Sequence, residues 1–358
     1  MLLRFGAHGR KSACRALLIC LLAVGTHLLS PSLLTAQSLH QQTIELNPGW
    51  NAIWLEVDPL QLTPTRVFED LPVDVVATFS ASSRSAQFAN DPSVDMLSAY
   101  GWAVWYAPSR SDAFLTTLNA LQGGRAYLVH SATNFTFNVM GEIPPLKIDW
   151  IPNAYNFVGF SVESPGGPTF EQFFRHSQAH NHNKIYRLVD GKWRQVVSPS
   201  QEAMRAGEAF WIFSQGRSSY QGPLEVRADS SFGVFLSAES DANIGIRNLT
   251  DHPVSFVVDH ITDHHDAIPM AVQISTFDPD VPGFRRVTVP FGATEWSQDF
   301  PTLEAGAGIR LPLRLHLPLA QPGESYSLLR VRSDLGTLHH LPVTASRPDL
   351  AAISTESP

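Results

Sequence analysis

Residues 51–57 read N-A-I-W-L-E-V, and residues 156–162 read N-F-V-G-F-S-V. Alternate residues of a strand share a face. On that spacing Ile53, Leu55 and Val57 answer to Val158, Phe160 and Val162, so one apolar face is written twice. The other face differs: Ala52, Trp54 and Glu56 stand against Phe157, Gly159 and Ser161. Further echoes keep the same order. Gly101-Trp102 and Pro108-Ser109 answer to Gly191-Lys192-Trp193 and Pro199-Ser200, and A-L-Q-G-G-R-A-Y-L-V (120–129) answers to A-M-R-A-G-E-A-F-W-I (203–212). The offset between partners shrinks along the chain, which places extra residues in the first copy, chiefly at 80–93. The pattern predicts a duplicated, mostly β module.

Each copy predicts a strand, a short helix, two further strands and a closing strand. Thr63-Pro64-Thr65 and Pro168-Thr169 suit helix N-termini. Asp190-Gly191 between K-I-Y-R-L-V and K-W-R-Q-V-V is a hairpin signal. From about residue 225 alternating runs, such as V-S-F-V-V (254–258) and L-P-L-R-L-H-L (311–317), recur between turn clusters. That spacing predicts an antiparallel sandwich of immunoglobulin or fibronectin style. The expected fold is therefore mainly β: two tandem α+β repeats (37–147 and 148–225), an immunoglobulin-like β-sandwich (226–345) and a loose tail (346–358).

The first 36 residues read as a secretory signal peptide. Arg4, Arg10, Lys11 and Arg15 precede the apolar run 16–25, and Leu34-Thr35-Ala36 offers a small-residue cleavage site. No later run of 18 apolar residues follows, so no transmembrane segment is expected after it. Cys14 and Cys20 are the only two cysteines and both lie in this leader. Structural disulfides, thiolate zinc sites and a cysteine nucleophile are thereby excluded from the remainder. The formal net charge is −8, more negative still without the four basic leader residues. With no basic stripe, that balance argues against nucleic acid as a partner.

No phosphate-binding loop, nucleophile elbow or H-E-x-x-H occurs, and Gly306-Ala307-Gly308 reads as a turn. Histidine supplies the metal candidates. D-H-I-T-D-H-H-D (259–266) packs His260, Asp263, His264, His265 and Asp266 into one short stretch, imidazoles and carboxylates that suit a divalent metal. An exposed polar loop accounts for the same residues. His176, His180 and His182 form a second cluster, read either as a helical metal pair or as a solvated loop. His339 and His340 are adjacent in a strand and point to opposite faces. No other cofactor is expected. Paired carboxylates for glycoside hydrolysis are assembled from distant strands, and Glu56, Asp58, Glu163 and Glu208 are the candidates. All eight tryptophans lie beyond the leader. Trp54 and Trp105 are the candidate ligand-binding rings, able to stack on a sugar or simply to fill a core.

G-W-N-A-I-W-L-E-V-D-P with A-L-Q-G-G-R-A-Y-L-V, then P-N-A-Y-N-F-V-G-F-S-V with A-M-R-A-G-E-A-F-W-I, resembles a repeat of mostly uncharacterised, exported bacterial multidomain proteins, in which such a sandwich is a usual companion. The resemblance covers about residues 45–225, implies surface or extracellular placement, and carries no catalytic residues. Together these features predict an exported, non-catalytic binding or structural interaction protein, its partner an extracellular polysaccharide or a cell-surface protein. A polysaccharide-active hydrolase or accessory module is the runner-up, and metal binding a third reading.

Overall fold

The computed structural model describes residues 39–80, 101–182, 184–261, 267–277, 284–292 and 295–348, with backbone alone at 274–277 and 284–286. All of these belong to one compact unit. The first echo stretch forms β2 (Gly49–Leu55). With β4 (Val73–Phe79), β5 (Trp102–Tyr106) and β6 (Arg125–Ser131) it makes an antiparallel sheet in the order β2-β6-β4-β5. The second forms β8 (Ala154–Gly159). With β9 (Ile185–Val189), β10 (Lys192–Gln195) and β11 (Ala209–Ser214) it makes a sheet in the order β8-β11-β9-β10. In both, the first strand pairs with the last and the middle two follow outward, so the two sheets share one strand order. A short helix falls between the first and second of these strands in each, α1 (Pro64–Val67) and α2 (Phe170–Phe174). The β9–β10 hairpin turns at Asp190 and Gly191, with φ of 51° and 71°, the left-handed pair that a two-residue hairpin loop requires.

The repeated apolar face of each sheet fills a separate core. Ile53, Leu55 and Val57 pack with Phe68, Trp105 and Tyr127 under a small sheet of β1 (Leu39–Leu46), β7 (Phe135–Glu142) and β3 (Asp58–Pro59), in the order β1-β7-β3. The sequence pattern did not disclose this third sheet. Val158, Phe160 and Val162 pack against Phe170, Phe173 and Phe174 of α2. The unrepeated faces meet each other. Ala52, Trp54, Ala77 and Leu128 of the first sheet share a core with Phe157, Trp193, Ala209 and Trp211 of the second. Each sheet is thus covered on both faces, which is why β8 is buried at every position.

The sandwich consists of two five-stranded sheets. One contains β12 (Leu224–Ala228), β14 (Ala242–Asn248), β19 (Gly308–Leu315), β16 (Met270–Phe277) and β17 (Phe284–Pro290), in that order. The other contains β13 (Val234–Ser237), β21 (Leu338–Arg347), β20 (Gly323–Ser333), β15 (Phe256–Ile261) and β18 (Trp296–Asp299), in that order. All pairings are antiparallel except β13 with β21. The immunoglobulin-like core lies between them, on Ile244, Ile246, Val258, Leu313, Leu329 and Val331. Strand β21 runs two residues into the expected tail, because Ser346 and Arg347 still pair with Glu324 and Gly323.

Backbone hydrogen bonds join the layers. Trp54 N–H donates to Gly207 O at 2.9 Å between the two small sheets. Leu338 N–H donates to Ser161 O at 3.0 Å, and Glu163 N–H to Gly336 O at 2.9 Å, between the second sheet and the sandwich.

Candidate functional site

Where the three layers meet, a polar cluster is buried. Gln42 of β1 fixes the chain after β2: its Nε2 donates to Trp54 O and its Oε1 accepts from Glu56 N–H, both at 2.8 Å. Glu56 is thereby turned inward to 8% exposure, with Oε2 3.6 Å from His340 Nδ1 of β21. Burial pushes its carboxyl up to about 7, against a lowering hydrogen bond from Ser161. Burial likewise drives His340 down to about 3 and His339 down to about 4. The 3.6 Å approach therefore joins groups that desolvation holds uncharged and is not a strong ion pair. Trp54, Ser161, His339 and His340 also line a cavity of about 70 Å³. Its size suits water and not a substrate.

An open concavity lies elsewhere, between β1–β7 and the β20-β15-β18 side of the sandwich. It is a groove of about 840 Å³. Leu39, Met140 and Trp296 give it apolar surface, and His40, Gln41 and Glu295 give it polar surface. Trp296 is braced from behind by Phe291, stacked at 4.1 Å. On the groove wall Asp259 accepts from Arg332 Nε at 2.6 Å, Ser297 Oγ at 2.8 Å and Arg330 Nε at 3.0 Å. Burial opposes its ionisation, but these bonds hold its carboxyl below the usual range.

The predicted site residues fall in different places. Trp105 is 3% exposed, and its Nε1 donates to Thr65 Oγ1 at 3.0 Å beneath α1. Trp54 is 4% exposed and lies over Gly159. Both rings are packing elements, and neither offers a face on which a sugar could stack. His260 is 2% exposed on the inner side of β15, with its ring 5.7 Å from Trp296. Asp263, His264, His265 and Asp266 lie outside the described residues.

The second histidine cluster is separated by burial. His180 packs on Trp150 at 4.0 Å, with Nδ1 2.6 Å from Ser177 Oγ, and burial lowers it to about 4. His176 turns the other way, to Asp251. The candidate carboxylates are engaged by protein groups. Asp58 accepts from Gly123 N–H at 2.7 Å, Glu208 is paired with Arg187 at 2.7 Å, and Glu163 lies 3.9 Å from Arg332. Of the groove's lining, sequence reasoning named His260, and only as a metal candidate; the groove itself was not foreseen. Its walls come from β1, β7, β15 and β18, which no local motif links.

No helix among the described residues is long and apolar enough to cross a membrane. No family model matches the chain, and no curated protein matches it. Among solved structures, the chain is similar to the ASH / PapD-like domain of human CEP192, with a TM-score of 0.21 and 10% identity over 35% of this chain and 84% of that one. It is also similar to the Salmonella enterica SafA pilin in complex with the SafB chaperone, with a TM-score of 0.21 and 16% identity over 35% and 55%. The YadV chaperone gives 0.20 and 16% over 36% and 52%. At such TM-scores these likenesses carry no argument about what this chain binds.

Proposed function

We propose that the chain is an exported, non-catalytic binding protein whose ligand is a neutral extracellular glycan held in the groove beside Trp296. The observation that carries this reading is the groove itself. Its volume of about 840 Å³ falls within the range of ligand sites, and it sets apolar surface beside hydrogen-bonding side chains. A sugar presents the same mixture, with C–H faces for Trp296 and Met140 and hydroxyls for Gln41 and Glu295. Export rests on the leader of the sequence. The duplication is part of the same reading and is supported by the shared strand order of the two small sheets.

The test is thermal melting of the protein with a panel of neutral polysaccharides, followed by analysis of products. A ligand selective for the folded state raises the melting temperature by mass action. The expected result is a shift with at least one glycan that Met140→Arg abolishes, since Met140 is 40% exposed on the groove wall. No shift with any glycan overturns the reading. Released sugars would overturn its non-catalytic part.

A further inference from the structure

The turn between β14 and β15 carries Asp251 and His252, and its shape is fixed from below. Asn248, fully buried, donates through Nδ2 to His252 O at 2.7 Å and to Leu303 O at 3.0 Å. Its Oδ1 accepts from Thr250 N–H at 2.8 Å and Thr250 Oγ1 at 2.7 Å. Across from this turn, His176 follows α2, with its side chain 18% exposed. His176 Nε2 lies 3.4 Å from Asp251 Oδ1, and His252 Nδ1 lies 3.0 Å from the same oxygen. All three ligand atoms fall within 4.8 Å of one another.

We propose that His176, Asp251 and His252 form a site for a transition-metal dication of the zinc class, bridging the second small sheet and the sandwich. Two imidazoles and a carboxylate, with a water in the fourth position, are a donor set that such ions take. Tetrahedral bonds of about 2.0–2.1 Å place neighbouring ligand atoms about 3.3 Å apart, close to the two separations above. The turn's hydrogen bonds supply the rigid frame that neighbouring ligands on a loop otherwise lack. Arg175 also faces Asp251 and weakens the attraction for a cation without occupying a ligand position. The three proposed ligands include no residue of the groove's lining or of the 259–266 stretch.

The test is calorimetric titration of chelator-stripped protein with zinc chloride alone. One equivalent is expected to bind, with affinity falling at least about tenfold in His176→Ala and in His252→Ala. A variant carrying His264→Ala and His265→Ala should keep that affinity. His252 is half-exposed, so His252→Ala leaves the fold intact, and its melting temperature without metal verifies this. Cobalt absorption in place of zinc gives a second readout, expected in the wild type and lost in His252→Ala. No zinc binding, binding unchanged in His176→Ala and His252→Ala, or loss only in the His264/His265 variant would each overturn the proposal.

Discussion

At the scale of single residues, Trp54 and Gly159 form one fitted pair. A Cβ built on Gly159 would lie 2.3 Å from Trp54 Cβ, 2.5 Å from its Cγ and 2.8 Å from Glu208 O. Gly159→Ala is therefore expected to destabilise by about 1–3 kcal/mol through overpacking. Trp54→Ala should cost about 3–5 kcal/mol through the lost ring. The double variant should cost less than the sum, because removing the ring relieves the Cγ contact and opens space into which the remaining Cβ–Cβ contact can relax. Urea unfolding of the four proteins measures this, and strict additivity would refute the fit. The mismatch of these two positions was legible in the sequence. Its meaning was not, because a chain does not state which sheet its outward face will meet.

Glu56 gives a pH signature. Its folded carboxyl titrates at about 7 against an ordinary 4.5, so the folded state holds a proton that the unfolded state releases across that window. Stability from this group is thus present below about 4.5 and lost as pH rises to 7. In Glu56→Gln that loss is absent. Relative to the wild type, the variant should gain up to about 3 kcal/mol between pH 4.5 and pH 8. A constant difference across that range would contradict the burial argument. His180, His339 and His340 work the other way: neutral when folded down to about 3–4, they cost stability as pH falls below the ordinary 6.5. Taken together, these four groups should make the wild type's stability rise with pH up to about 7 and level off above it.

At the scale of elements, the helices show how much local chemistry decides. Thr169 closes a capping box on α2: its Oγ1 accepts from Gln172 N–H at 3.2 Å, and Gln172 Oε1 accepts from Thr169 N–H at 2.8 Å. Thr63 stands at the same point of α1 with no side-chain cap bond. Thr169→Ala should cost about 1 kcal/mol and Thr63→Ala only a few tenths, measured as shifts in the urea midpoint. Equal costs would contradict the assignment. Both helix starts and the Asp190-Gly191 turn were readable, because caps and turns are local. The sheet of β1, β7 and β3 was not. It joins segments about 95 residues apart through the register Leu39 with Glu142 to Leu46 with Phe135, and nothing local records such a pairing.

At the scale of the whole molecule, two small sheets and a sandwich are tied by shared cores and by backbone bonds at Gly207, Ser161 and Gly336. Arg332 extends from the sandwich to Glu163 while holding Asp259, so the groove wall and the layer junction are braced by one side chain. Of the candidate site, the sequence exposed residue types and not their convergence. It offered Trp54 and Trp105, which the fold uses as packing, and it passed over Trp296 and Met140, which the fold brings to the groove from strands about 155 residues apart. The central claim is that this groove takes the ligand. Its most direct measurement is hydroxyl-radical footprinting with and without the glycan that gives the largest melting shift. The account predicts protection of Met140 and Trp296 with no change at the exposed Phe114 and Phe232. Protection at Phe114 or Phe232 with Met140 unchanged would contradict it.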